Sequence, residues 1–199
     1  MGVRLSLTLQ ENPEISDRMS AGFVGGGGNW SIEVMRPDGT SEIWLDRWVA
    51  GNWDAPDQKI WRVTYGHAAT AATAKAAPAD LSAVAAHFKA ALERTLAFAE
   101  RNSGHFAGSF RQALACLAGS TRCSAYHRDL AIDGSLPGEA LALLNAAQPA
   151  WVFGGMGSWN DLVFTGPDGD LYEDVTSALY TAVLEGVATA TNAFDPAVT

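Results

Sequence analysis

The stretch GNWSIEVMRPDGTSEIWLDRW, residues 28–48, gives the clearest indication of the fold in this 199-residue chain. Apolar and polar side chains alternate on both sides of its centre, as they do in half-buried strands. The apolar residues that we expect to face one another are Trp30, Ile32 and Val34 on the first side and Ile43 and Leu45 on the second. Between them, Pro-Asp-Gly at residues 37–39 is typical of a tight turn. The stretch therefore predicts an antiparallel β-hairpin.

Two more strand patterns flank this hairpin. Residues 3–9 alternate apolar and polar side chains, and KIWRVTYG, residues 59–66, follows a loop rich in Asp, Pro and Asn. Strands joined by short turns must pair antiparallel. We therefore expect an N-terminal antiparallel β-meander of four to five strands. The Ala- and Thr-rich segment after it, residues 67–80, has no periodic face and is interpreted as a connector.

From residue 80 onward the sequence predicts about four helices, each with an apolar stripe at helical spacing. The expected boundaries are Asp80 as N-cap of the first helix, Gly119 as the end of the second, Pro137 before the third, and a last helix from about Asp170 to about Phe194. Gly186, inside the last helix, costs about 1 kcal/mol relative to alanine and indicates a close neighbour.

Strands followed by helices predict an α+β fold, in which helices cover one face of an antiparallel sheet. The length of the chain suits a single domain. We expect that domain to span residues 1–199, with a strand-rich half at 1–66 and a helical half at 80–199.

The net charge of the chain is −9, and it is unevenly distributed. Residues 1–128 hold all 13 Lys and Arg side chains and 12 acidic ones, whereas residues 129–199 hold 10 acidic side chains and no Lys or Arg. Because no basic stripe is present to bind phosphates, we expect no nucleic-acid partner. The acidic part either keeps the protein in solution or attracts a cationic protein.

PDGDLYED, residues 167–174, places four carboxylates near the predicted start of the last helix. They are Asp168, Asp170, Glu173 and Asp174. One interpretation is that they interact with the positive end of the helix dipole. The other is that they form a partner-binding surface for a basic protein. Their spacing matches only part of a calcium-binding loop, so we expect no metal site.

WVFGGMGSWNDLVF, residues 151–164, is the most unusual segment of the helical half. Gly154, Gly155 and Gly157 allow backbone conformations that other residues avoid, which indicates a sharp turn. Asp161 can close that turn by bonding to nearby backbone. The sequence therefore predicts a structural turn held by these four residues.

The same segment has two possible binding roles. Trp159 and Asn160 are candidate partner contacts, since glycine-rich loops with exposed tryptophan form binding hot spots; the alternative is that the tryptophans are buried and anchor the turn. A small-ligand or enzymatic role of residues 154–161 is a further alternative, because their backbone N–H groups could meet a phosphate. No phosphate-loop motif or nucleophile elbow is present, so we expect no catalytic residue and no cofactor.

Five of the seven tryptophans lie in the strand-rich half, and they are Trp30, Trp44, Trp48, Trp53 and Trp61. Alternation places Trp44 and Trp48 on the face opposite Ile43 and Leu45. Either loops cover both faces of the sheet, or an aromatic face is exposed. An exposed aromatic face favours self-association, as a homodimer or as a homo-oligomeric structural protein.

Cys116 lies in an apolar helical run, where we expect a free buried thiol rather than a disulfide with Cys123. The first residues lack the apolar block of a signal peptide. The chain also has no apolar run long enough to span a bilayer. We therefore expect a cytoplasmic protein without a membrane partner.

AWVFGGMGSWNDL, residues 150–162, followed by LYEDVTSALY, residues 171–180, resembles a family of small, mostly uncharacterised bacterial proteins associated with immunity proteins of polymorphic or contact-dependent toxin systems. The resemblance covers the last third of the chain. It implies a non-enzymatic protein that binds a toxin domain and blocks its active site, and a basic toxin domain would suit the acidic residues. It implies no catalytic residue.

Overall fold

The computed structural model describes residues 2–8, 16–57, 59–72, 80–119, 134 and 136–193. It contains two compact units, Met1–Ala77 and Pro78–Thr199. The first unit holds the strands, and the second holds the long helices. An antiparallel sheet followed by helices confirms the predicted α+β class.

The first unit is built around a four-stranded antiparallel sheet in the order β1-β2-β3-β4. Its elements are β1 (Gly2–Thr8), a short helix α1 (Asp17–Ser20), β2 (Asn29–Met35), β3 (Thr40–Ala50) and β4 (Trp61–Ala72). Each strand pairs with the preceding strand of the chain, so the predicted meander is confirmed.

The central hairpin forms where the sequence predicts it, but its register differs from the prediction. Ile43 pairs with Glu33, and Trp44 pairs with Ile32. The expectation that Ile43 faces the apolar side chains of β2 is therefore wrong. The loop, residues 36–39, is longer than the three-residue turn in the prediction, and a shift of one residue moves every side chain of a strand to the other face.

The pairing of β1 with β2 creates a shielded ion pair. Glu33 is 3% exposed and lies opposite Arg4. The Arg4 Nε donates a hydrogen bond to Glu33 Oε2 at 2.8 Å, and Arg4 Nη2 donates to the same oxygen. The sheet therefore contains a polar pair that is largely removed from water.

β4 continues beyond the predicted end of the strand at Gly66. Residues 67–72, interpreted from sequence as part of a connector, pair with β3 as far as Thr40. Ala68 has no partner on β3, which makes a β-bulge in this strand. The connector interpretation is wrong here because the backbone groups of β3 provide partners, and such pairing outweighs a weak local preference.

The second unit is a helical bundle. Its described elements are α2 (Leu81–Asn102), α3 (Gly104–Leu117), α4 (Gly138–Ala150), a 3-10 turn (Trp159–Asp161) and α5 (Pro167–Asn192). α2 packs on α3 and α5, and α4 also packs on α3 and α5. None of the helices in the described part of the chain combines the length and the hydrophobicity that a membrane span requires.

The helix boundaries agree closely with the sequence signals. Asp80 caps α2 as predicted, because its Oδ1 accepts the N–H groups of Ser82 at 3.0 Å and Ala83 at 3.2 Å. α5 begins at Pro167, slightly before the predicted start near Asp170. Proline suits the first turn of a helix, where its missing N–H is not needed.

The core of the bundle contains the apolar stripes of the helices. Among the fully buried side chains are Phe88, Leu92, Phe98, Phe110, Leu143, Leu179 and Val183. Gly186 is buried in α5, and a Cβ there would lie 3.4 Å from Phe88 Cδ1 and 3.6 Å from Leu143 Cδ2. The predicted close neighbour of Gly186 is therefore present.

Cys116 is 2% exposed in α3, and it is disulfide-bonded. The expectation of a free buried thiol is therefore wrong. Cys123, the other cysteine of the chain, lies outside the described residues.

Candidate functional site

The glycine-rich segment, residues 151–164, connects α4 to α5 and enters the core of the second unit. Its Trp159 is fully buried, and Phe153 is 2% exposed. The ring of Trp159 lies 5.2–6.1 Å, between centroids, from aromatic rings of three helices: Phe98 in α2, Phe106 and Phe110 in α3, and Tyr172 in α5. The segment is therefore part of the core that holds the helices together.

Hydrogen bonds also fix the position of Trp159. Its Nε1–H donates to Thr176 Oγ1 at 2.8 Å, and its carbonyl accepts the Tyr172 hydroxyl at 2.6 Å. A side chain without exposed surface cannot contact a partner in this conformation. Trp159 as a partner contact is therefore wrong, because side chains of α2, α3 and α5 enclose it. Asn160 beside it is half-buried.

The turn in this segment depends on one of its three glycines. Gly157 has φ +84°, in the left-handed region, whereas Gly154 and Gly155 do not have positive φ. The Gly157 N–H donates to Asp161 Oδ2, so Asp161 closes the turn as the sequence predicts. The Ser158 hydroxyl donates to the carbonyl of Gly154 at 3.1 Å. The predicted turn is present, and of the three glycines only Gly157 adopts a conformation that other residues avoid.

These bonds occupy backbone donors that a bound phosphate would need. The N–H groups of residues 158–162 donate to carbonyl or hydroxyl oxygens within the same segment, at 3.1–3.3 Å. The Gly157 N–H donates to a carboxylate, which also places negative charge at the turn. The geometry therefore gives little support to residues 154–161 as a site for an anionic ligand.

Trp151, Met156 and Val163 are the exposed large apolar side chains of this segment, and the last two are the most exposed. Met156 is fully exposed near the tip of the turn, and Val163 is 85% exposed just after it. Sequence reasoning missed both residues, because a loop has no periodicity that separates inward from outward side chains. The sequence contains no local signal for the exposure of either residue.

The four predicted carboxylates are all exposed and all lie at the start of α5: Asp168, Asp170, Glu173 and Asp174. The first two are in the first turn of the helix, where negative charge is favourable. The structure thus brings these four residues together on one short stretch of helix, as the sequence indicates.

Asp174 has a partner within the bundle. Asp174 forms an ion pair with Arg94 of α2. Further along the same two helices, His87 Nδ1 lies 2.9 Å from Glu185 Oε2. Because Arg94 offsets its charge, Asp174 contributes less to the surface potential than its sequence position suggests.

An open depression of about 350 Å³ lies beside the start of α5. Its lining residues are Leu162, Val163, Phe164, Gly166, Gly169, Asp170, Tyr172 and Glu173. Gly169 allows the close approach of the two walls, since a Cβ there would lie 2.9 Å from the Phe164 carbonyl oxygen. The depression therefore combines an exposed apolar side chain, Val163, with the carboxylates of Asp170 and Glu173.

The first unit also exposes aromatic residues. Trp48, Trp53 and Trp61 are exposed, and Trp30 and Trp44 are half-buried. Trp53 and Trp61 contact each other edge to face, with 5.8 Å between ring centroids. Part of the tryptophan set is therefore accessible on the strand-rich unit.

No group of three His, Cys, Asp or Glu side chains among the described residues is arranged to hold a metal ion. Comparisons of the chain with protein-family models, curated proteins and solved structures find no match. The functional interpretation therefore rests on the geometry of the sites described above.

Proposed function

We propose that this chain is a non-enzymatic binding protein that captures a cationic protein at the start of α5. We call the proposed binding site the acidic surface and define it as Val163, Asp168, Asp170 and Glu173. The observation that carries the proposal is the combination of exposed carboxylates with a neighbouring side chain, Val163, that is 85% exposed.

The acidic and basic side chains are unevenly distributed along the chain. Residues 129–199 contain no Lys or Arg, so only side chains from earlier in the chain can neutralise this region. Arg94 pairs with Asp174 and therefore reduces its contribution. Charges of one sign on a surface attract an oppositely charged partner and raise its association rate, by roughly 10-fold or more at low salt.

Val163 gives the acidic surface an apolar contact. Carboxylates at the rim of an interface mainly affect the rate of encounter, whereas a desolvated apolar side chain slows dissociation. Carboxylates at a helix start without an apolar neighbour would only interact favourably with the positive end of the helix dipole. The adjacent depression and the exposed Val163 are what favour a docked protein.

A basic toxin domain is the partner that we propose, in keeping with the resemblance of residues 150–162 and 171–180 to immunity proteins. The proposed location is the cytoplasm, where the partner would be neutralised. The disulfide at Cys116 is the observation that speaks against this location, since disulfides persist mainly in oxidising compartments. The redox state of Cys116 in cells therefore tests the location separately from the binding.

The binding proposal is tested with a purified basic toxin domain, by kinetic measurements over a series of salt concentrations. The triple variant Asp168→Lys, Asp170→Lys and Glu173→Lys is expected to lower the association rate by roughly 10-fold or more and to reduce its salt dependence. Val163→Ser is expected to raise the dissociation rate and leave the salt dependence unchanged.

A matched control reverses three exposed acidic residues elsewhere, Asp54, Asp57 and Glu93, and changes the net charge by the same amount. We expect this control to bind nearly as fast as the natural chain. An equal decrease of the association rate in both triple variants would show that only the net charge matters. That result would overturn the acidic surface as the binding site. A toxin domain that does not bind the natural chain would overturn the proposed function itself.

A further inference from the structure

β4 forms one edge of the sheet, and no other strand in the described part of the chain pairs with its outer side. All its residues are exposed, including Trp61 at 39%, Val63 at 37% and Tyr65 at 52%. An edge strand presents unpaired N–H and C=O groups, and proteins commonly protect such edges with lysine, proline or a short strand. β4 has 12 residues and contains neither lysine nor proline, so its edge is open to pairing.

The β-bulge at Ala68 limits which part of β4 can pair. Residues 61–67 match β3 residue by residue, whereas the register shifts beyond His67. A bulge bends its strand and interrupts the regular spacing of hydrogen bonds. The segment available for regular pairing is therefore WRVTYGH, residues 61–67.

This segment is complementary to a two-fold copy of itself. Antiparallel pairing centred on Thr64 would place Thr64 opposite Thr64, Val63 opposite Tyr65, Arg62 opposite Gly66 and Trp61 opposite His67 of the second copy. Thr–Thr pairs and pairs of an aromatic with a β-branched residue are favourable across strands, and like charges directly opposite each other are unfavourable. The single cation of the segment, Arg62, faces glycine, so no like charges oppose each other.

We propose that this protein forms a two-fold dimer, in which residues 61–67 of β4 pair antiparallel with the same residues of a second copy. The pairing joins two sheets into one and satisfies the open edge of both. It also brings Trp61, Val63 and Tyr65, which alternate onto one face of β4, beside the same three side chains of the second copy. A two-fold axis makes the interface self-complementary. The acidic surface takes no part in this pairing, so the dimer would carry two such surfaces.

Gly66 offers a register-specific test. An added Cβ at Gly66 has no atom within 4 Å, and its φ lies outside the left-handed region, so a side chain is accommodated. In the proposed register, position 66 of each copy lies opposite Arg62 of the other, so the dimer contains two such contacts. Gly66→Arg places like charges at both contacts, whereas Gly66→Glu places opposite charges there. The two variants share the loss of glycine and differ only in the side chain.

The test is sedimentation velocity of the full chain over a range of protein concentrations. We expect the natural chain to dimerise, Gly66→Arg to weaken the dimer about 10-fold, and Gly66→Glu to strengthen it about 10-fold. Thr70→Arg, which lies beyond the bulge, is expected to leave the dimer unchanged. A monomeric natural chain, a shift of both Gly66 variants in one direction, or a dimer broken by Thr70→Arg would each overturn the proposal.

Discussion

The indole Nε1–H of Trp159 donates to Oγ1 of Thr176 at 2.8 Å, and neither side chain is exposed to solvent. This bond links the glycine-rich segment to α5 inside an aromatic cluster. A buried polar atom without a partner is unfavourable, so each of these two groups depends on the other. The bond therefore helps to fix the point at which residues 160–166 leave the core. It thereby also helps to position Val163 at the proposed binding surface.

Breaking this bond from either side is expected to lower stability. Trp159→Phe leaves the Thr176 hydroxyl without the indole, and Thr176→Val leaves the indole N–H buried without an acceptor. Each change is expected to lower the free energy of unfolding by about 1–3 kcal/mol, and Trp159→Ala by about 3–5 kcal/mol because it also leaves a cavity.

Denaturant titration of the two single variants and of the double variant measures the coupling between Trp159 and Thr176. We expect the double variant to lose less than the sum of the single losses, since both partners of one bond are then absent. Strictly additive losses would contradict the coupling and leave only the volume of the indole as the source of stabilisation.

Gly157 and Gly155 are expected to respond differently to alanine. Gly157 has φ +84°, where a Cβ costs about 1–2 kcal/mol, so Gly157→Ala is expected to lower stability by about that amount. Gly155→Ala is the control, because Gly155 lacks positive φ and an added Cβ has no atom within 4 Å. Thermal or denaturant unfolding compares the two variants, and similar losses would rule out backbone conformation as the cause.

The parts of the fold that could be predicted from the sequence are those with local causes. The Pro-Asp-Gly turn places Gly39 at φ +82°, and the Asp80 carboxylate caps α2 through hydrogen bonds two and three residues away. The register of β3 was missed because the loop that joins β2 to β3 is one residue longer than the predicted turn. The length of β4 was missed because it has a non-local cause, the backbone groups that β3 offers.

The candidate site also contains features with local causes, which could be predicted, and features with non-local causes, which could not. The carboxylates of Asp168 and Asp170 were placed correctly at a helix start, since a proline and clustered acidic residues mark such a start locally. Whether Trp159 points inward depends on Phe98, Phe106 and Phe110, which come from helices far away in the sequence. A tryptophan in a glycine-rich loop gives no local indication of that environment.

The Arg4–Glu33 pair is expected to make the stability of the sheet depend on pH. Burial raises the pKa of Glu33, but hydrogen bonds from Ser41 and Arg4 and the charge of Arg4 outweigh burial, so the pKa lies below its ordinary value of 4.5. A lowered pKa in the folded state means that the carboxylate stabilises the fold fully above the unfolded pKa. This contribution is lost as the pH falls through the folded pKa.

Glu33→Gln is therefore expected to lower stability by about 1–3 kcal/mol at neutral pH, and the difference from the natural chain should shrink in acid. Hydrogen exchange of the β1 and β2 amides, measured at several pH values, reports on this sheet directly. Glu42→Gln is the control, because Glu42 pairs with Arg36 at the surface, where ion pairs contribute little. A Glu33→Gln deficit that does not change with pH would contradict the titration of Glu33 as its source.

The disulfide at Cys116 leads to a prediction about the redox state of this cysteine in cells and in the purified protein. The structure has Cys116 in a disulfide, and a disulfide typically stabilises a fold by about 2–4 kcal/mol. In the proposed cytoplasmic location, cellular reductants are expected to keep both cysteines as thiols, while the purified protein forms the bond in air. Alkylation in intact cells, followed by mass analysis, distinguishes the two states, and reduction of the purified protein should lower its thermal midpoint.

A disulfide already present in cells would contradict the cytoplasmic location. Because the carboxylates of the acidic surface lie on α5 and the cysteine on α3, that outcome would leave the proposed binding to be decided by the charge-reversal variants.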